Sequence, residues 1–197
     1  MKKVFFGILL AMAGLVSILA VPLQILAMNF VPNFAMVSAA VMLVMYLATA
    51  FGYWLIMKGA EGLPQTQYWH YAGTFSKFLC AYNVAVGLLE FVEALGLFTL
   101  NLPSVISQVL YYITDLGGFF IMYFCVLGLR DLQYIARKNL YADRVYKCFT
   151  AWMVIRLLAS LLTGWLYVGA VVAYIVMLFF YGKGAWAYDK RDPYQQY

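Results

Sequence analysis

Charge is what this chain most lacks. Asp, Glu, Lys and Arg make up 11% of its 197 residues, whereas 66% are hydrophobic, 19% are aromatic and the mean hydropathy is +0.84. Soluble folds draw about 25% of their residues from those four charged types, so the polar surface needed to cover a soluble fold is missing. That excludes a soluble enzyme, a disordered chain and a nucleic-acid-binding module. Histidine occurs once, at His70, inside Gln67-Tyr68-Trp69-His70-Tyr71. The cluster reads as an interfacial aromatic anchor. Cysteine occurs at Cys80, Cys125 and Cys148, an odd number without Cys-x-x-Cys spacing, so neither a disulfide framework nor a thiolate metal centre is expected. Asn-x-Ser/Thr, Walker, nucleophile-elbow and His-Glu-x-x-His patterns are absent, and no cofactor is expected.

What the chain has is apolar runs of membrane-spanning length, about 20 residues each. Six are read: Val4–Met28, Phe34–Met57, Phe75–Leu100, Pro103–Leu129, Lys147–Thr163 and Trp165–Tyr181. Period-two alternation, the mark of a transmembrane strand, is absent. The fold expected is an all-α, polytopic membrane helical bundle forming a single domain over residues 1–197. Cys148–Phe180 read as one bent helix is the competing count, and Thr163-Gly164-Trp165 is the break that favours two. Met1-Lys2-Lys3 and the run behind it imitate a signal peptide, but the run reaches Phe30 without a charge, longer than the usual 7–15-residue core of such a peptide. It is read as a retained first helix.

Orientation follows from the basic residues. Six spans with the N-terminus inside place Lys2, Lys3, Lys58, Lys77, Arg130, Arg137, Lys138, Arg144, Lys147, Lys183, Lys190 and Arg191 in cytoplasmic segments. Arg156 alone lies within a span, and the outer loops hold none. Cytoplasmic loops retain Lys and Arg while short translocated loops exclude them. Both termini are therefore expected in the cytoplasm of a cell-membrane protein. Arg130–Tyr146 places Leu129, Leu132, Ile135 and Ala136 on one face and reads as an amphipathic interfacial helix, as a continuation of the fourth helix, or as a docking surface.

Ionisable groups within a bilayer are expensive and usually face a cavity or the bundle interior. Glu90 and Glu93 lie on the third helix, where Asn83, Gly87, Glu90 and Ala94 share a face. On the fourth, Ser104, Gln108, Tyr111, Asp115 and Gly118 form a stripe, and on the fifth Trp152, Arg156, Ser160 and Thr163 do the same. At about 1.5 Å per residue, Glu93 and Arg156 both fall roughly 10 Å below the outer helix ends, Glu90 roughly 15 Å and Asp115 roughly 18 Å. Glu93 and Arg156 are thus expected to pair. Three carboxylates against one guanidinium then require protonation or a bound cation. The expected site is an outward-facing polar pocket of Glu90, Glu93, Asp115, Arg156, Gln108, Tyr111 and Asn83, closed below by a drier inner half. Asp115 is its central residue.

The function this favours is binding or transport of a cationic small molecule, H⁺ or Na⁺. The plan is similar to the substrate-binding subunits of energy-coupling-factor vitamin transporters, which share its length, six helices, inside termini and outside binding. Gly7-x3-Ala11 and Ala13-x3-Ser17 resemble the small-residue spacing with which that family docks its coupling subunit. The resemblance implies a membrane partner subunit, since nothing here binds ATP. A second reading is an accessory or regulatory subunit whose buried charges are structural. An intramembrane lipid enzyme is weakest, because no His, Cys or Ser nucleophile accompanies the carboxylates.

Overall fold

The computed structural model describes residues 1–12, 34–64, 66–97, 104–161 and 165–190. Six α-helices fill them: α1 (Lys2–Met12), α2 (Phe34–Glu61), α3 (Gln67–Ala94), α4 (Ser104–Ala136), α5 (Ala142–Leu161) and α6 (Trp165–Asp189). Four are long and apolar enough to cross a membrane, over Met36–Glu61, Gln67–Ala94, Leu116–Ala136 and Val168–Asp189. That is compatible with a membrane location. The expected ends at Met28, Leu100 and Thr163, and the expected break at Gly164, lie outside the described residues.

At one end of the bundle the helices outlast the apolar runs. The second continues past Met57 to Glu61, the third begins at Gln67 rather than Phe75, and the sixth continues past Tyr181 to Asp189. Gln, Lys, Arg and Glu are good helix formers, so hydropathy falls before the helix does. At the opposite end α3 stops early, at Ala94. Gly96 takes a left-handed φ of 72°, its N–H reaches the Glu93 carbonyl at 2.9 Å, and the Leu97 N–H reaches that of Val92 at 3.4 Å. This Schellman closure satisfies the last carbonyls and ends the helix.

Each helix packs antiparallel on the next, and α6 returns to α1, closing a ring. Gly7 meets Gly52 and Ile56 while Gly59 meets Val4; Gly87 meets Tyr46 while Gly73 meets Ala60. Leu79 covers Gly117 while Trp69 covers Gly128. Phe119 stacks on Trp152 at 6.1 Å and Arg130 lies over Tyr146 at 5.9 Å. Trp152 meets Tyr174 at 5.4 Å and Arg144 lies over Phe180 at 5.3 Å, so α5 and α6 are two helices folded against each other. The Met1 amine, 3.5 Å from Asp189, and the Phe5 ring, 5.3 Å from Trp186, fix α1 to α6.

This ring gathers the starts of α1, α3 and α5 with the ends of α2, α4 and α6. Most of the basic residues lie there, around a dense core containing Val4, Ile56, Leu129, Leu132, Leu140 and Tyr181. Of the readings open for Arg130–Tyr146, the continuation of α4 holds as far as Ala136. The chain then turns through Arg137 (φ 50°) and Tyr141 (φ 58°) into α5. A single apolar face is not preserved, since Leu129 and Leu132 are buried but Ile135 is exposed. Gln133 organises the turn: its Oε1 accepts the N–H groups of Leu140 at 3.0 Å and Ala142 at 3.1 Å.

Candidate functional site

The third helix turns one narrow stripe inward. Trp69, Ala72, Ser76, Leu79, Asn83 and Gly87 are all buried, at the i+3 and i+4 steps of one helical face. Glu90 is the next residue on that line, yet it is exposed. The bundle is therefore packed beside Asn83 and open beside Glu90. The Tyr46 hydroxyl on α2 donates to Glu90 Oε1 at 2.9 Å. Tyr46 can reach it because Gly87 has no side chain: a Cβ there would stand 2.6 Å from that of Tyr46.

Other expected residues separate from this point. Asn83 is buried, and its Nδ2 donates to the Leu79 carbonyl at 2.8 Å, so its amide serves its own helix. Glu93 is exposed in the final turn of α3, beside the Gly96 closure. It therefore lies about one residue from the helix end rather than the expected depth of roughly 10 Å. Arg156 is half-buried on α5 with its guanidinium 5.4 Å from the Trp152 ring centre.

Register decides which of these levels coincide. Trp152 stacks on Phe119, and one turn further along the antiparallel pair brings Arg156 level with position 115. Leu79 on Gly117 carries that level to about residue 81 of α3, so Glu93 stands roughly 18 Å away along the axis. The expected match in depth between Glu93 and Arg156 is corrected. It was measured from helix ends, and α3 closes six residues short of Leu100. Positions 108, 111 and 115 lie on α4, and the side chains of Gln108, Tyr111 and Asp115 are outside the described residues.

Tyr46, Tyr53 and Tyr174 are what the sequence reading missed. Tyr46 binds Glu90, while Tyr53 and Tyr174 are buried, Tyr174 against Trp152, one turn from Arg156 on α5. The signal was available as spacing, since Tyr46 and Tyr53, and again Tyr174 and Tyr181, lie seven apart on one face. Counted as apolar residues, they were invisible as polar ones. Among the described residues no group of three His, Cys, Asp or Glu side chains is placed to hold a metal ion, and the three cysteines are free thiols.

The small-residue stripe on α1 also has an occupant. Gly7 is buried against Gly52 and Ile56, and Ala11 meets Gly52. Gly7-x3-Ala11 is thus spent on α2, within the chain, while Ala13 and Ser17 lie outside the described residues. Comparison with protein-family models, with curated proteins and with solved structures finds no match to this chain.

Proposed function

We propose that the protein is a multi-pass membrane protein, both termini cytoplasmic, whose outward half binds a cationic solute or a coupling ion such as H⁺ or Na⁺. Glu90 is its principal ligand. The observation that carries this reading is the stripe of α3, sealed up to Gly87 and accessible at Glu90. A carboxylate on the inward-facing line of a membrane helix is expensive unless water or a counter-ion reaches it. The Tyr46 hydroxyl fixes its rotamer but supplies no charge. On α4, position 115 is level with Arg156, and positions 108 and 111, with Glu93 on α3, lie towards the mouth.

The test uses the full chain in nanodiscs. Thermal unfolding is followed while NaCl replaces choline chloride, and then across a panel of amine and ammonium metabolites. One cation should raise the midpoint, giving about 2.7 kcal/mol of stabilisation at a hundredfold excess over Kd and about 1.4 kcal/mol more for each further tenfold. Glu90→Gln should remove that shift while keeping the fold, because the amide oxygen still accepts from Tyr46. Flat responses to every cation, or a shift surviving Glu90→Gln, would sink the reading.

A further inference from the structure

At the basic end α2 and α3 part around a cleft of about 190 Å³. Ala60 and Gly73 face each other there, and a Cβ on Gly73 would meet only that of Ala60, at an ordinary 3.7 Å. Met57 ends the apolar run of α2 and Phe75 begins that of α3. The walls of the cleft, within residues 57–61 and 69–77, straddle both limits, which sets it at the depth of lipid headgroups. Its charge is unbalanced. Glu61 lines it but is held by Lys58 at 2.8 Å, so that pair is neutral. Lys77 lines it too, and among the described residues its ammonium has no carboxylate within ion-pair distance. Such a cation on a membrane-length helix is expensive unless an anion or water reaches it. His70, Thr74 and Lys77 follow one another at steps of four and three, on one helical face, and all three are exposed. The Thr74 hydroxyl is committed to its own helix, donating to the His70 carbonyl at 3.0 Å. The His70 ring keeps an N–H in either protonation state. Trp69, also lining the cleft, has a buried indole N–H without an acceptor among the described residues. The α3 wall thus offers a cation and N–H donors.

We propose that this cleft holds the phosphate of an anionic phospholipid, with Lys77 as its counter-ion and the His70 ring donating beside it. Basic pockets between membrane helices take such headgroups. Phe75 and Phe78, both exposed on the adjoining face of α3, give the acyl chains an apolar surface, which a soluble phosphate would not use. The site lies at the opposite end of the bundle from Glu90 and shares no residue with the cation pocket, so either can fail alone.

The full chain, delipidated in detergent, is titrated with phosphatidylglycerol, and the lipids retained are counted by native mass spectrometry. One copy should bind ahead of all others, whereas phosphatidylcholine, which has no net charge, should show no such favoured copy. Lys77→Gln should weaken the first copy by at least about fivefold, the effect of one basic residue near an anionic surface, and Lys77→Arg should retain it. Gly73→Val keeps every charge but puts a side chain into the gap, and it should abolish the first copy while unfolding normally without lipid. Lys3→Gln controls for diffuse attraction, since Lys3 is exposed at the same end but lies against Gly59, outside the cleft. Equal losses at Lys3 and Lys77 overturn the proposal, as does a folded Gly73→Val that binds like the wild type. Should Gly73→Val not fold, the contrast between Lys77→Gln and Lys3→Gln decides alone. Displacement of the first copy by an equal concentration of glycerol 3-phosphate would make the occupant a soluble phosphate and overturn the lipid assignment.

Discussion

A methyl group at Gly7 would land 2.6 Å from the Gly52 carbonyl oxygen and 2.6 Å from Ile56 Cγ1. Backbone cannot yield there without separating α1 from α2. At Gly169 the nearest atom would be Ile155 Cγ2 at 3.6 Å, ordinary contact. Gly7→Ala should therefore lose about 1–3 kcal/mol to overpacking. Gly169→Ala should gain up to about 1 kcal/mol of helix propensity. Thermal midpoints of the two variants in the same detergent measure the contrast; a neutral Gly7→Ala would mean that α1 does not sit this close. The small-residue stripe was legible in the sequence, but its partner was not. Spacing shows that a helix face can approach another backbone, and Gly52, on another helix in the same chain, answers it as well as a separate subunit would. The tyrosines taught the opposite lesson. Tyr46 packs its ring against Gly87 while its hydroxyl donates to Glu90, and a scale that gives one value per residue hides the second property.

At the level of elements, two side chains hold the turn from α4 into α5: Gln133, and Asn139, whose Oδ1 accepts the Tyr141 N–H at 3.0 Å. Gln133 accepts two N–H groups at the buried residues Leu140 and Ala142. Gln133→Ala would leave both unpaired and should cost about 2–6 kcal/mol, since each buried orphan costs about 1–3 kcal/mol. Gln133→Glu keeps an acceptor at the positive start of α5 and should retain most of that stability. Equal losses in both variants, measured by denaturation, would show that packing rather than acceptance fixes the turn. Helix number and order were readable from the sequence because apolar length and basic punctuation recur along the chain. Helix ends were less so. Hydropathy marks where lipid would stop, whereas the hydrogen-bonded ladder runs on through Lys, Gln and Glu until a residue such as Gly96 breaks it. That closure leaves Glu93 in the last turn of α3 rather than well inside the helix.

For the molecule as a whole, the ring separates two unlike ends. One is basic, with Lys2 5.7 Å from the Trp186 ring centre and Lys183 4.4 Å from that of Phe179, cations resting on aromatic faces. The other holds Glu90 and Glu93, both exposed. Because Lys and Arg are retained on the cytoplasmic side, the basic end should face the cytoplasm. With Cys80, Cys125 and Cys148 replaced by alanine, Leu97→Cys should react with an impermeant maleimide in intact cells. Asn139→Cys should react only after permeabilisation. The reverse pattern would invert the orientation and close the outward pocket. The sixth helix has a use beyond its packing. It runs unbroken to Asp189, well past the apolar stretch, with Gly182 pressed on Phe5 and Gly184 on Leu140. A rigid soluble protein grafted in helical phase after Asp189 would turn with the bundle as one body. A 22.4 kDa target that offers little contrast of its own would then carry a fiducial large enough to orient in electron micrographs.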